Sequence, residues 1–167
     1  MKTVALVIAE REFRDEEYQV PLEILQANNV RVLTVSTTTN EVVGKLGMKV
    51  TPDTLMDDLD PAALDGLVFI GGGGSEQYFD DPTAHELARK TAQLGKVVGA
   101  ICIAPVILAN AQLLVGKTAT VYPDGKDILE KQGAKYTGNP VEVDGNIITG
   151  NGPEAAKEFG ETLLKML

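Results

Sequence analysis

The stretch Lys96-Val-Val-Gly-Ala-Ile-Cys-Ile-Ala-Pro105 carries the strongest structural and chemical signal in the chain. Residues 96–101 form a short apolar run rich in β-branched side chains, which is typical of a buried strand. Cys102 follows at once, and Pro105 stands where proline is tolerated, in the first turn of a helix. The spacing therefore predicts a strand–cysteine–helix junction.

Small residues flank Cys102 two positions away on either side, Ala100 and Ala104. A nucleophile elbow needs small neighbours because its turn is too tight for larger side chains. Such a junction exposes the sulfur near a helix N-terminus, which favours the thiolate, so the pattern predicts a lowered cysteine pKa. The alternative is a buried cysteine that acts as a small hydrophobic residue. The junction favours the reactive thiol.

Apolar runs alternate with helical patterns on both sides of this junction. The predicted strands are residues 3–9, 31–36, 67–70, 96–101, 118–122 and two short strands within 141–149, around the Asp144-Gly145 turn. The predicted helices are residues 15–28 with a kink or break at Pro21, 82–94 capped by Asp81, the helix after Cys102, and 153–167, while residues 37–50 resemble a hairpin. This order predicts an α/β fold, a flavodoxin-like three-layer sandwich with a mostly parallel sheet.

Ligand sites in such folds lie beyond the carboxyl ends of the strands. The glycines at 71–74 follow the predicted strand 67–70, so their backbone can approach a ligand closely and present N–H groups to an anion. The alternative is a tight strand-to-helix turn. A dinucleotide fingerprint would follow the first strand, and a Walker loop would end in Lys-Ser or Lys-Thr, so neither fits.

An acidic segment, residues 10–17, follows the first predicted strand. Most of its carboxylates are expected to be solvated surface charges. Because the segment leaves the sheet at the edge where Cys102 is expected, one of them can point toward the thiol. The pattern alone does not identify which one.

Composition limits the function further. A length of 167 residues fits one domain, residues 1–167, and a net charge of −9 argues against nucleic-acid and anionic-membrane partners. One cysteine and one histidine leave neither a disulfide framework nor a histidine or thiolate metal site, and no cofactor is predicted. The lone cysteine, and an N-terminal apolar run too short for a signal peptide, predict a cytoplasmic protein.

Several motifs together resemble one known family. They are the acidic turn, Glu17-x-x-x-Pro21, the Gly-Gly after a later strand, Ala100-Ile-Cys-x-x-Pro105, and the late Val-Tyr-Pro at 121–123, Val-Asp-Gly at 143–145 and Gly-Pro at 152–153. In this order they resemble the ThiJ/PfpI family, which includes the parkinsonism-associated deglycase and belongs to the class I glutamine-amidotransferase-like superfamily. The resemblance covers essentially the whole chain.

The resemblance implies roles for individual residues. Cys102 matches the family's nucleophilic, oxidation-sensitive cysteine, and Glu17 matches the glutamate that hydrogen-bonds that thiol. Gly72 and Gly73 match the glycine pair beside it, and the N–H groups of Gly73 and Ile103 are expected to form an oxyanion hole. The family resemblance also implies a homodimer or larger homo-oligomer.

Two departures argue against a protease. Protease-like members carry histidine directly after the cysteine, where this chain has Ile103, and other members carry it where this chain has Tyr122. His85 is expected on a helix surface, so a cysteine–histidine pair lacks its base. Glu76 lies about one position from an acid that protease-like members lend across a subunit contact, which leaves Tyr122 and Glu76 as accessory candidates.

The leading functional hypothesis is a Cys102-dependent enzyme for small reactive carbonyls, similar to the family's glyoxalases and deglycases. Cys102 is expected to add to an aldehyde while Glu17 carries the proton. Two alternatives remain open. One is a redox sensor in which Cys102 is oxidised without turnover, and the other is a chaperone-like or structural dimer.

Overall fold

The apolar runs build a central seven-stranded sheet in the computed structural model, which describes residues 1–167. The strands are β1 Thr3–Val7, β2 Arg31–Ser36, β3 Val42–Val43, β4 Lys49–Val50, β5 Thr54–Leu55, β6 Gly66–Phe69, β7 Val97–Ile101, β8 Thr118–Ala119, β9 Lys135–Tyr136, β10 Val141–Asp144 and β11 Ile147–Gly150. The sheet order is β10-β11-β7-β6-β1-β2-β5, and only β10 runs antiparallel. This confirms the predicted mostly parallel sheet.

Helices cover both faces of the sheet. They are α1 Asp15–Ala27, α2 Pro82–Gln93, α3 Pro105–Asn110, α4 Lys126–Lys131 and α5 Ala156–Met166. Alternate residues of each strand supply two separate apolar clusters. In β1, Val4 and Leu6 face the cluster that contains Phe159 of α5, whereas Ala5 and Val7 face the cluster that contains Leu87 of α2. The strand period of two thus produces the predicted three layers.

Several local predictions hold. The Asp81 carboxylate accepts the Thr83 N–H at 3.0 Å and caps α2. β3 and β4 form the hairpin expected within residues 37–50, and β10 and β11 pair around the Asp144-Gly145 turn. No helix combines the length and apolar character that crossing a bilayer requires.

Two local predictions need correction. The strand predicted over residues 118–122 ends at Ala119 and pairs with β9 outside the central sheet. Pro21 does not break its helix, because α1 runs without interruption from Asp15 to Ala27. α5 packs closely there, since a Cβ on Gly160 would lie 3.2 Å from the Pro21 Cα. The sequence pattern also missed β5 and α4.

Candidate active site

Cys102 occupies a tight turn between β7 and α3. Its φ angle is +63°, a left-handed conformation that few non-glycine residues adopt. Two main-chain hydrogen bonds hold the turn. The Cys102 N–H donates to the Gly150 carbonyl at 2.9 Å, and the Cys102 carbonyl accepts the Tyr122 N–H at 2.7 Å. Only 9% of the residue is exposed, so the cysteine is buried in a packed turn.

Glu17 projects from the first turn of α1 and is fully buried. Neither carboxyl oxygen has a partner in ordinary hydrogen-bond geometry. The Cys102 thiol and the Gly71 N–H are the groups that face the carboxyl. A buried carboxyl without a cation in contact is costly to stability, so its proximity to a thiol makes the pair a candidate site of chemistry.

Glycine at 71 makes this pairing sterically feasible. A Cβ on Gly71 would lie 2.5 Å from Glu17 Oε1 and 2.6 Å from Cys102 Cβ, closer than real Cβ atoms approach. The adjacent Gly72 has a φ angle of +99°, and a Cβ there would overlap the main chain of Glu12 and Arg14. The glycine run therefore lets the chain that follows β6 pass between the acid and the thiol.

Main-chain N–H groups surround the sulfur. Those of Gly72 and Ile103 donate toward Cys102 and favour its thiolate. Gly73 is exposed and begins a 3₁₀ helix, Gly73–Tyr78, so its N–H lies ahead of the first intrahelical hydrogen bond. Of the two glycines, Gly72 is thus the one whose N–H favours the thiolate. The oxyanion hole expected from Gly73 and Ile103 stays a prediction.

The acid and the thiol titrate as a coupled pair. Burial raises the pKa of Glu17 to about 7, opposed by the Cys102 thiol, the Arg14 charge and the Gly71 N–H. Burial, the Glu17 charge and the hydrogen bond with Glu17 raise the pKa of Cys102 to about 12, against the N–H groups of Gly72 and Ile103. Between these pH values the pair holds one proton and one negative charge.

The raised Cys102 pKa contradicts the lowered value expected from a helix N-terminus. The physical reason is twofold. α3 begins three residues after Cys102 and has only six residues, so its dipole is weak at the sulfur. Burial and the neighbouring carboxyl also outweigh the N–H donors. Transfer of the thiol proton to Glu17 is the route to a thiolate near neutral pH that the pair itself provides.

Comparison with known proteins identifies the family. The sequence model of the DJ-1/PfpI family matches residues 2–166. The chain belongs to the DJ-1/PfpI family. The family resemblance noted in the sequence is thereby confirmed, and with it the flavodoxin-like fold.

Relatives align with this family member over nearly its whole length. An uncharacterized protein of Methanocaldococcus jannaschii, MJ0967, is 42% identical over 98% of this chain and 82% of its own. A protein of Pyrococcus furiosus named deglycase PfpI is 31% identical over 97% of this chain and 98% of its own. The solved ThiJ/PfpI domain protein of Brachyspira murdochii has a TM-score of 0.96 at 29% identity, covering 98% and 95% of the two chains.

The remaining candidates of this DJ-1/PfpI chain separate into near and distant groups. Tyr122 lies at the rim, 42% exposed, with its N–H on the Cys102 carbonyl. Glu76 is exposed and borders a separate depression with Glu10 and Glu12. His85 is half-buried rather than on the surface, and its Nε2 lies 2.8 Å from the Phe79 carbonyl oxygen, a contact within the α2 region and not with Cys102. No group of three potential ligands is arranged to hold a metal ion.

Two residues of the acidic segment have roles that the pattern did not reveal. Asp15 is buried and its carboxylate accepts the N–H groups of Leu46 and Met48 at 3.2 and 3.0 Å, which fixes the hairpin to α1. Arg14 directly precedes α1, and its charge acts on both Glu17 and Cys102. The sequence signal that could have pointed to Arg14 was its positive charge within a mostly acidic segment.

Proposed function

We propose that the protein is a Cys102-dependent enzyme that acts on small reactive carbonyl compounds, in the manner of glyoxalases and deglycases. The observation that carries the proposal is the buried Glu17 carboxyl against the Cys102 thiol, with no histidine beside it. The positive φ angle of Cys102 also suits a nucleophile elbow. Relatives named deglycase, about 31% identical, support the same chemistry.

The proposed reaction begins with transfer of the thiol proton to Glu17. The Cys102 sulfur then adds to the aldehyde carbon, and the electron pair of the C=O bond moves to the oxygen. That oxygen takes the proton from Glu17, which gives a neutral hemithioacetal. The N–H groups of Gly73 and Ile103 would stabilise the negative charge as it develops on oxygen.

The same arrangement disfavours peptide hydrolysis. A cysteine peptidase needs a base that can later protonate the leaving amine, and histidine usually fills both roles. Ile103 and Tyr122 occupy the two positions where the family resemblance places histidine, and His85 bonds the Phe79 carbonyl. We therefore expect no Cys102-dependent cleavage of casein. Robust cleavage would show that another residue serves as the base.

Turnover of methylglyoxal tests the proposed function. Cys102 is the only cysteine, so Cys102→Ser removes every thiol from the protein. We expect wild type to form a 2-hydroxy acid, and the variant to lose about 10³-fold or more in kcat/KM. Equal rates for the two proteins would refute the proposal, because the activity would then not depend on the thiol.

A redox role is the second candidate. The N–H groups on the sulfur and a protonated Glu17 would also bind the oxygens of a sulfinate. Peroxide treatment followed by intact mass measurement distinguishes the two. Addition of two oxygen atoms at Cys102, with no methylglyoxal turnover by the reduced protein, would favour the sensor.

The proposal of a homodimer or larger assembly rests on the family resemblance. Size-exclusion chromatography with light scattering tests it.

A further inference from the structure

One cation borders the depression next to Cys102. Arg14, Tyr122 and Gly152 line this space of about 460 Å³, and Arg14 is the only basic residue among the lining groups. Tyr122 joins this depression to the Cys102 turn, because its N–H donates to the Cys102 carbonyl at 2.7 Å. Arg14 joins it as well, because the Arg14 N–H donates to the Gly71 carbonyl at 2.9 Å and a Cβ on Gly71 would lie 2.6 Å from Cys102 Cβ. The depression therefore adjoins the turn that holds the reacting sulfur.

Only part of the guanidinium is occupied. Glu16 accepts hydrogen bonds from Arg14 Nε at 3.0 and 3.2 Å and pairs with Nη2 at 3.0 Å. Arginine has five N–H donors, and those of Nη1 have no acceptor in the protein. Glu16 thus holds one edge of the fork and orients it, while the Nη1–Nη2 edge remains free. That edge has the geometry that binds a carboxylate through two parallel hydrogen bonds.

We propose that the substrates are 2-oxoaldehydes that also carry a carboxylate, with that carboxylate bound by the free edge of Arg14 while Cys102 adds to the aldehyde. This assignment rests on the proposed function. A monoanion fits better than a phosphate dianion, because Glu16 and Glu154 line the same depression and one cation opposes them. The overall reaction adds one water to the oxoaldehyde and yields a 2-hydroxy acid, with no external oxidant.

Thiol alkylation tests Arg14 without requiring turnover. Iodoacetate and iodoacetamide have nearly the same shape, and each loses iodide to the thiolate, but only the first is an anion. A net charge of −9 repels iodoacetate from the protein as a whole, so any preference for it must be local. We expect Arg14→Gln to lower the iodoacetate-to-iodoacetamide rate ratio about fivefold. Lys131→Gln, an exposed charge change on α4, is the matched control and should leave the ratio unchanged.

Turnover then tests the substrate class. The probes are 4,5-dioxopentanoate and its uncharged methyl ester. Because Arg14 also acts on Glu17, both rates change in Arg14→Gln, but the acid-to-ester ratio of kcat/KM should fall about tenfold. In Arg14→Lys, which keeps the charge but loses the planar fork of N–H donors, this ratio should fall less.

Unchanged ratios in both assays, with methylglyoxal still converted, would overturn the assignment and leave the proposed function intact. Failure of wild type to convert methylglyoxal or either dioxo compound would overturn both.

Discussion

Two carboxylates at opposite edges of the same sheet show how differently one fold uses the same chemical group. Asp65 precedes β6 at the amino edge, and Glu17 lies at the carboxyl edge beside the end of β7. Asp65 accepts the Thr3 N–H at 2.9 Å and lies 3.8 Å from the amines of Lys2 and Lys96. It is partly exposed, and its charge is compensated.

Glu17 has none of these advantages. It is fully buried, no amine or guanidinium pairs with it, and its neighbour is a thiol whose own ionisation it opposes. Asp65 satisfies the local rules of folding, whereas Glu17 violates them. Such violations are expected where a protein keeps a reactive group. From this contrast we propose that the acid at the amino edge serves stability and the acid at the carboxyl edge serves chemistry, and the following experiments test that division.

The largest expected effect comes from closing the gap between the acid and the thiol. In Gly71→Ala the new Cβ must displace the Glu17 carboxyl, the Cys102 Cβ or the Ile101 carbonyl, all within 2.6 Å. We expect a loss of about 2–3 kcal/mol in unfolding free energy and about 10²-fold in the alkylation rate of Cys102.

Gly73→Ala is the matched control, because the nearest atom to its Cβ is Glu12 Oε2 at 3.7 Å, an ordinary contact. We expect it to remain within about 0.5 kcal/mol of wild type. Urea unfolding and stopped-flow alkylation measure both variants. If Gly71→Ala and Gly73→Ala behaved alike, the pairing of Glu17 with Cys102 would not depend on close packing at Gly71.

The next effect concerns the shared proton. Below pH 7 both groups of the pair are protonated, and above it the pair holds one charge that can reside on sulfur. The rate of Cys102 alkylation by iodoacetamide should therefore rise through an apparent pKa of about 7 and then level off. Glu17→Leu removes the proton acceptor, so the rise in rate near pH 7 should disappear and alkylation should instead follow the ionisation of the thiol alone.

Glu17→Gln sharpens this test, because it keeps an N–H donor of similar shape. Gln should preserve more thiolate than Leu, and Leu should change how far peroxide oxidises Cys102, as followed by intact mass. If Glu17→Leu leaves both the alkylation profile and the oxidation unchanged, Glu17 is a bystander and the site assignment fails.

The sequence predicted the elements that obey local rules. The strand–cysteine–helix junction, the Asp81 cap and the turn at Asp144-Gly145 follow from apolar period and turn chemistry, which act over a few residues. β5, only two residues long, carries too little pattern to be detected, and α4 is a six-residue helix after a 3₁₀ turn. α1 is continuous at Pro21, where it packs against Gly160 of α5, a tertiary contact that the local pattern does not contain.

The site divides in the same way. Cys102 followed from its junction, but choosing Glu17 among the neighbouring acids required the family resemblance, because burial is a tertiary property. Asp15 and Glu17 are both buried, and only their partners distinguish them. Asp15 binds the main chain of the hairpin, whereas Glu17 lies beside the thiol. The direction of the Cys102 pKa shift was wrong because the sequence shows the helix but not the depth of burial.

The smallest expected effect is also the clearest in sign. Asp65→Asn should lower stability by about 0.5–1 kcal/mol, because it removes two partly exposed ion pairs.

Glu17→Gln should do the opposite and raise stability. The folded-state pKa of Glu17, about 7, lies above its ordinary value of 4.5, so the folded protein binds the extra proton between these pH values. Its stability then falls as pH rises from 4.5 to 7, by at most ~3 kcal/mol, and the cost is fully present above pH 7. Glutamine does not titrate, so the stability of Glu17→Gln minus that of wild type should be about 1–3 kcal/mol at pH 8 and shrink toward zero below pH 4.5. Urea unfolding of both variants and wild type at several pH values measures these differences. A destabilised Glu17→Gln at pH 8 would mean that the carboxylate has a compensating partner after all, and the two edges of the sheet would then use their acids alike.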